Sequence, residues 1–365
     1  YDALQPYGIF AGPDPLLETQ WLNKNINQYD GIHIHWPEQS WRGSVPDWYS
    51  ESMLSSFPGS WRFERYLSSS ESIKKTRSFI NALKFIKTSG RFIIWTFHNV
   101  EPHESTGKAD RIGYNALASC ADLVIAHDDY AASLFKDRYP RAVKPIVMPH
   151  GNYRGIYPEP QPRSRTLSEL GLDDNNPVFA CVGRLRRYKG FVDVVKAFNL
   201  LGEQFQLIVA GAPDDRETSD QLDMLSAESE SIRIMKGYID DQRFSDIVHA
   251  SAGVILPYKS VTGSGALLAA LSLDRGVIVS DLDYFKEIMK LEPDAGFILS
   301  DLEPRMIANS IQEFCRRDEN ARNKAVRRLI NRFDWCDLIK PVAQQIAKIN
   351  RLRSLTSVGC ATQED

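Results

Sequence analysis

The sequence predicts an α/β protein of two doubly wound domains, and three observations carry that prediction. Short apolar runs ending in Gly, Pro or polar turns alternate with helix-like stretches from Asp30 to Leu299. The beat is interrupted at the polar, proline-bearing PEPQPRSR of residues 158–165. A chain of 365 residues is also longer than one ordinary core requires.

Composition narrows the classes. Charged residues are 25%, hydrophobic residues 43% and the formal net charge −3, a globular balance without the basic excess of a general nucleic-acid binder. Five widely spaced cysteines fit neither a disulfide framework nor a zinc motif. Cys120, Cys181, Cys315 and Cys336 are expected reduced in or near cores, and Cys360 in an exposed tail. No stretch is long and apolar enough to span a bilayer, and no signal peptide is evident, so a cytoplasmic setting is expected.

In chain order, residues 1–15 are rich in Pro and Gly and show no obvious opening strand, and Leu16 to Ile26 suits a short helix. Asp30–Trp36, DGIHIHW, reads as a strand with Ile32 and Ile34 on one face and His33 and His35 on the other. Pro37 ends it, so His35, Trp36 and Glu38 stand where open α/β sheets place ligands; a histidine that merely bonds a loop has the same look. The segment Trp41–Glu71 interleaves Trp41, Trp48, Trp61 and other aromatics with Arg42, Arg62 and Arg65. Such a mixture suits a membrane interface or a sugar acceptor, and equally a core-packed insertion. Ser72–Thr88 is an amphipathic helix with lysines outside.

Arg91–Phe97, RFIIWTF, is a buried-strand pattern followed at once by His98, Asn99, Glu101, His103 and Glu104. The spacing is not that of a helical metal site, so a base or a hydrogen-bonding hand for a substrate fits better. Helices are expected over Arg111–Ser119 and Asp129–Arg138, and strands over Asp122–Ala126 and Pro145–Pro149, the last ended by His150-Gly151.

The second half opens on VFACVGRLRRYKG, Val178–Gly190. Val178–Val182 reads as a buried strand stopped by Gly183, and Arg184, Arg186, Arg187 and Lys189 crowd the turn before a helix. Glycine allows close approach of a bound group, a helix start offers amides to an anion, and basic side chains add charge-assisted contacts. A surface turn with solvated arginines has the same local pattern. Strands follow over Phe205–Ala210, Ile232–Lys236, Gly253–Leu256, Gly276–Val279 and Gly296–Leu299, with helices between them. After Pro257-Tyr258, the turn Thr262-Gly263-Ser264-Gly265 opens the helix Ala266–Leu273; its hydroxyls and amides suit phosphate, or Ser264 serves only as N-cap. Asp281 and Glu287 lie past the next strand and suit a sugar or plain solvent. Three helices, Glu303–Arg317, Asn320–Arg332 and Ile339–Leu352, end the chain before a polar tail.

Taken in order, HIHWPE (33–38), WTFHNVEPHE (95–104), ADLVIAH (121–127), PHGNYRGIYP (149–158), VGRLRRYKG (182–190) and LPYKSVTGSGALLAALSLDRGVIVSD (256–281) resemble the nucleotide-sugar glycosyltransferases of the GT-B fold, closest to family 4 (group 1). The resemblance implies two Rossmann-like domains facing each other across a cleft. Residues 1–157 would form the acceptor domain, 158–165 the linker and 166–335 the donor domain. A C-terminal helix, 336–355, would pack back on the first domain, ahead of a flexible tail, 356–365.

The resemblance also implies roles. Gly183, Arg184 and Lys189 match the turn that neutralises the donor diphosphate, and His98 the acceptor-side histidine near the chemistry. His150 and Gly151 match an inter-domain turn, and Glu287 a donor-side glutamate. The family's paired glutamates would fall near Val261 or Thr262 and Ala269 or Ala270, where this chain has no acid. Thr262, Gly263, Ser264 and Gly265, with Tyr258, are the expected substitutes on the donor side. His35, Glu38, Asn99, Glu101, His103, Glu104 and His150 are expected on the acceptor side. The implied reaction moves a sugar, a hexose foremost, from a UDP- or GDP-linked donor to a saccharide or glycolipid, with no metal and no further cofactor. Peripheral contact with the inner face of a membrane would come from residues 41–66 and the lysine face of 72–88. An epimerase of the same fold and a non-catalytic binding module are the rival classes.

Overall fold

The structure is a computed structural model that describes residues 1–12, 17, 19–42, 69–98, 107–261 and 263–360. The aromatic stretch 43–68 lies outside the described residues, as do Asn99, Glu101, His103, Glu104 and Thr262. By internal contacts the chain divides into unit 1, Tyr1–Pro149 with Cys336–Asp365, and unit 2, His150–Trp335.

Unit 1 begins with a short 3-10 helix, Asp2–Tyr7, in place of an opening strand. Its sheet runs β1 (Gly31–Ile34), β2 (Phe92–Phe97), β3 (Leu123–Ala126) and β4 (Ile146–Val147), all parallel and in chain order. In β1 the isoleucines are buried and alternate with partly covered Gly31 and His33, as the two-residue period requires. Every residue of β2 is buried, which is how a strand covered on both faces reads. Helices Ser69–Thr88 and Lys108–Cys120 pack beside the sheet, and Asp128 caps Asp129–Arg138 by accepting from the Ala131 amide at 2.6 Å.

Trp41, from a segment whose aromatics suit a membrane interface, a sugar acceptor or equally a core-packed insertion, is fully buried, packed edge-on to Phe79 and Tyr114. Its indole N–H donates to Asp110 at 2.7 Å, giving that buried carboxylate a partner. The C-terminal helix runs Lys340–Cys360, further than expected, so the tail shortens by the stretch 356–360. Val342, Ala343 and Ile346 bury its inner side, and Arg353 donates to the Gly90 carbonyl at 2.6 Å.

Unit 2 holds β5 (Val178–Val182), β6 (Gln206–Gly211), β7 (Ile232–Lys236), β8 (Gly253–Leu256), β9 (Val277–Ser280) and β10 (Gly296–Leu299). All are parallel, in the spatial order β10-β9-β8-β5-β6-β7. Helix Phe191–Leu201 buries Val194, Val195 and Phe198 against this sheet, with Phe198 and Phe314 both edge-on to Phe179. Truncating Phe179 to Ala there would cost about 3–5 kcal/mol.

The expected linker is not a free connector. A helix, Arg163–Glu169, begins inside it; Gln161 donates to Asp246, and Ser245 donates to the Pro158 carbonyl at 2.7 Å. Two cysteines expected in cores, Cys315 and Cys336, are exposed thiols, whereas Cys181 is buried.

Candidate functional site

In unit 2 the chain winds outward from β5 through β6 to β7, then returns to β8 on β5's other side and winds to β10. The strand order therefore reverses between β5 and β8, and the crevice past the carboxyl ends of two such strands is where an open parallel sheet receives ligands. The Gly183–Gly190 turn follows β5 and the Pro257–Gly265 loop follows β8, tied together by the Lys259 amide on the Tyr188 carbonyl at 2.7 Å.

Lys189 is folded back over Gly183. The glycine has φ of +131°, and any side chain there would collide with the lysine's Nζ. The ammonium lies 5.2 Å from the centre of the Tyr258 ring and 5.8 Å from that of Phe191. Among the described residues it has no hydrogen-bond acceptor or ion-pair partner. Burial first, and then neighbouring Arg186, depress its pKa to about 8. A partly desolvated cation so placed invites an anion.

Arg184 and Arg186 are both tied to Asp214, an acid the sequence reading did not single out. Arg184 donates to it through Nε at 2.9 Å and through Nη2, and Arg186 through Nε. The reach across sequence comes from the backbone: Leu185 N–H donates to the Ala212 carbonyl at 2.8 Å, and Asp214 N–H to the Leu185 carbonyl at 3.3 Å. The loops after β5 and β6 are thereby zipped together. Burial works against the Arg186 charge, and Asp214 outweighs it, raising the pKa. The Arg184 side chain is 63% exposed, so its outer face remains open to a ligand.

The loop after β8 divides the expected donor-side residues. Ser264 is buried and caps helix Gly265–Ser272 by accepting from the Leu267 amide at 3.2 Å. That leaves the Gly265 and Ala266 amides, ahead of it, as those a phosphate oxygen could meet. Gly263 stands exposed with open space around it. Tyr258 does not face solvent: it is 4% exposed, packed on Tyr188 and Phe285, with its phenol pKa raised by burial, so it supports Lys189. Glu287 sits on helix Asp283–Leu291 with its side chain 71% exposed and bonded to Lys290 at 2.9 Å, the disposition of a surface acid. His150, expected on the acceptor side, falls in unit 2. It bonds the Gly151 carbonyl at 2.7 Å and the Tyr153 hydroxyl at 3.4 Å, and Tyr153 reaches over Gly265.

In unit 1 each strand ends on a member of one hydrogen-bonded row. His35 follows β1, His98 follows β2, His127 follows β3 and Met148 follows β4. His35 Nδ1 lies 2.9 Å from His98 Nε2, His98 Nδ1 lies 3.2 Å from His127 Nε2, and His127 Nδ1 lies 3.1 Å from the Met148 carbonyl. Tyr1 hydroxyl extends the row, 3.3 Å from His35 Nε2 and 2.8 Å from His33 Nδ1, and His33 Nε2 lies 2.8 Å from buried Thr96 Oγ1. Burial, then the neighbouring histidines, hold the His33 pKa well below its ordinary value. Trp36 stacks on His98 with centres 4.7 Å apart and planes 12° from parallel, yet is 51% exposed. Glu38 stands apart from this row, accepting from the Tyr114 hydroxyl at 2.9 Å. Among the described residues no group of three or more His, Cys, Asp or Glu side chains is arranged to hold a metal ion.

His127 and Asp214 were missed as site residues. The signal for His127 was present, since LVIAH repeats the strand-then-histidine pattern of IIWTFH. Nothing local distinguishes Asp214 in GAPDD; its role depends on a loop pairing between distant residues.

Residues 163–331 match the family profile of the group 1 glycosyl transferases. The chain is similar to GDP-mannose:glycolipid 4-beta-D-mannosyltransferase of Xanthomonas campestris pv. campestris, at 25% identity over 69% of this chain and 62% of that protein. It is also similar to the alpha-maltose-1-phosphate synthase of Mycolicibacterium smegmatis, at 25% identity over 53% of this chain and 54% of that one. The match thus spans less than two thirds of either relative. Among solved structures, Anabaena Alr3699/HepE in complex with UDP-glucose superposes with a TM-score of 0.61 at 18% identity, covering 75% of this chain and 76% of that one. The sucrose-phosphate synthase of Thermosynechococcus elongatus gives 0.60 at 16%, covering 80% and 81%. The architecture, two Rossmann-like α/β units, is that of the GT-B fold.

Proposed function

We propose that this protein is a glycosyltransferase that moves a sugar, a hexose foremost, from a UDP- or GDP-linked donor to a saccharide or lipid-linked saccharide in polysaccharide or glycoconjugate synthesis. The observation that carries the reading is Lys189: a partly buried ammonium with no acceptor among the described residues, held at a glycine turn beside a sheet's switch point. The leaving diphosphate supplies the missing anion. Lys189, the open face of Arg184 and the amides at Gly265 and Ala266 stabilise its charge as the glycosidic bond breaks. His98, in unit 1, positions the acceptor hydroxyl or takes its proton, with His35 beside it. Asn99, Glu101, His103 and Glu104 remain acceptor-side candidates. The family match in unit 2 and the UDP-glucose named for the similar Anabaena structure support a nucleotide-sugar donor; the relative from Xanthomonas is named for GDP-mannose and a glycolipid.

Calorimetric titration of UDP, GDP and their sugars tests the donor half, and product analysis with saccharide and glycolipid acceptors tests transfer. Conversion of the donor without any acceptor would instead mark an epimerase. Absence of both nucleotide binding and turnover would leave a binding module.

No described helix is long and apolar enough to cross a membrane. Peripheral attachment at the cytoplasmic face, through residues 43–66 and the lysines of Ser69–Thr88, is part of the proposal. Burial of Trp41 takes that residue out of it. Co-sedimentation with anionic but not neutral vesicles is the expected result, and binding to neither would remove the claim.

A further inference from the structure

The row of histidines has a direction, and one backbone carbonyl sets it. A carbonyl only accepts, so His127 must donate to Met148 through Nδ1–H. A neutral imidazole that donates at Nδ1 accepts at Nε2, so the bond between His98 and His127 carries the proton of His98 on its own Nδ1. His98 Nε2 then accepts, from His35 Nδ1–H. The same logic continues to His35 Nε2, which accepts from the Tyr1 hydroxyl, to Tyr1, which accepts from His33 Nδ1–H, and to His33 Nε2, which accepts from Thr96. Between the Thr96 hydroxyl at one end and the Met148 carbonyl at the other, each group donates once and accepts once along the row. Reversing any bond would set two N–H groups, or two lone pairs, against each other.

The sheet explains why the row is held. The register pairs Phe97 with Ala126 and Ala126 with Val147, so His98, His127 and Met148 are the next residues on three adjacent parallel strands. Neighbouring strands lie about 4.8 Å apart, which sets these side chains side by side on one edge. The Met148 amide itself donates to the Ala126 carbonyl at 2.8 Å, fixing the carbonyl that ends the row.

We infer that His127, locked by the Met148 carbonyl, is the positioning residue that holds His98 in its Nδ1–H form and leaves Nε2 as the accepting nitrogen of the site. A sugar hydroxyl that reaches His98 therefore meets it as a hydrogen-bond donor at Nε2, in exchange for His35. That consequence rests on the reading of unit 1 as the acceptor half; the proton position itself does not.

The test uses the full chain labelled with 15N-histidine, with two-bond proton–nitrogen correlations recorded at about pH 8, above the ordinary imidazole pKa of about 6.5. His98 is expected to show a protonated Nδ1 and an unprotonated Nε2, the less common form of a free imidazole. H127L removes the acceptor and should return His98 toward the Nε2–H form, while H127Q, whose amide oxygen can still accept, should keep Nδ1–H. An Nε2–H or doubly protonated His98 in the native chain overturns the inference. So does an unchanged tautomer in H127L with a native melt. Should H127L fail to fold, the native spectrum and H127Q still decide. With sugar transfer as a second readout, H127L should lower turnover by roughly tenfold to a hundredfold with nucleotide affinity unchanged, and H127Q should recover part of it. The expected tautomers together with undiminished turnover would count against His98 as acceptor-side group, and leave the positioning assignment standing.

Discussion

The basic turn of unit 2 and the histidine row of unit 1 both follow strand ends, yet they satisfy their polar groups in opposite ways. In the row, each ring nitrogen of His35, His98 and His127 meets a partner within 3.3 Å, so the site is polar, neutral-capable and internally complete. In the turn, the Lys189 ammonium is partly buried beside aromatic rings with no acceptor among the described residues, while the two arginines beside it share Asp214. A completed network fixes geometry and proton positions. An uncompensated charge instead lowers the stability of the empty protein and strengthens its hold on an anion. On the proposed function, that difference would give positioning to unit 1 and charge neutralisation to unit 2.

The largest expected effect breaks the second half of that contrast. On the proposed function, in which Lys189 meets the leaving diphosphate, K189A should lower kcat/KM by about 2–4 kcal/mol, roughly 30- to 900-fold, the loss expected of one charge-assisted contact. K189M should lose as much activity yet melt higher than the native chain, since a buried charge is replaced by an apolar stem. Kinetics and thermal melts on both variants measure this; near-normal turnover would refute the assignment. The counterpart in unit 1 is H98A, with H98N beside it. Turnover should fall roughly a hundredfold, while nucleotide affinity by calorimetry stays within about twofold. Equal losses in both quantities would mean that the two units do not divide the work as described.

How much of this was legible follows the same division. Strand ends were legible because buried parallel strands read as apolar runs stopped by a polar residue or glycine: VFACVG and IIWTFH needed no partner to be recognised. Gly183, Lys189 and His98 stand out in the sequence for that reason. The pairing between loops was not legible. Asp214 reaches Arg184 only because the loop after β6 runs beside the loop after β5. The histidine row needs the register of four strands, which no local period encodes. Burial was less legible: the pattern around Trp41 suited an exposed and a core setting alike and the residue is core, whereas Cys315 and Cys336 looked like core residues and are exposed. Around 158–165 the prolines suggested a connector, but Gln161 and the helix from Arg163 bind it to unit 2.

A pH series sharpens the contrast. With its pKa depressed to about 8, Lys189 carries its charge below that pH and loses it above. Nucleotide diphosphate affinity should therefore fall as pH rises through 8, by up to about tenfold per unit until the bound-state pKa is reached. For stability the sign is opposite. An unfolded lysine keeps its proton to about 10.4, so between 8 and that value the unfolded chain binds more protons than the native one, and stability rises with pH. The native chain minus K189M isolates this component from other titrating groups. A flat difference in both affinity and stability would show that the ammonium is not desolvated.

The smallest effects belong to Ser264 and Glu287, and they test where the charged site ends. Ser264 accepts from the Leu267 amide, so S264A should cost about 1 kcal/mol of stability as a lost N-cap, with only a few-fold change in nucleotide affinity. Glu287 is mostly exposed on the surface of its helix and is already engaged by Lys290 three residues on. An ion pair in that setting contributes little, because solvent screens it and two long side chains must be held in place. E287A should therefore shift the melt by less than about 0.5 kcal/mol and leave donor affinity within roughly twofold. The decisive comparison is calorimetry with the nucleotide alone against the nucleotide sugar. A tenfold loss for the sugar-bearing ligand only, in E287A, would show that this carboxylate leaves Lys290 to hold the sugar and would extend the donor site to helix Asp283–Leu291. The exposure of the side chain and its bond to Lys290 argue for the smaller result.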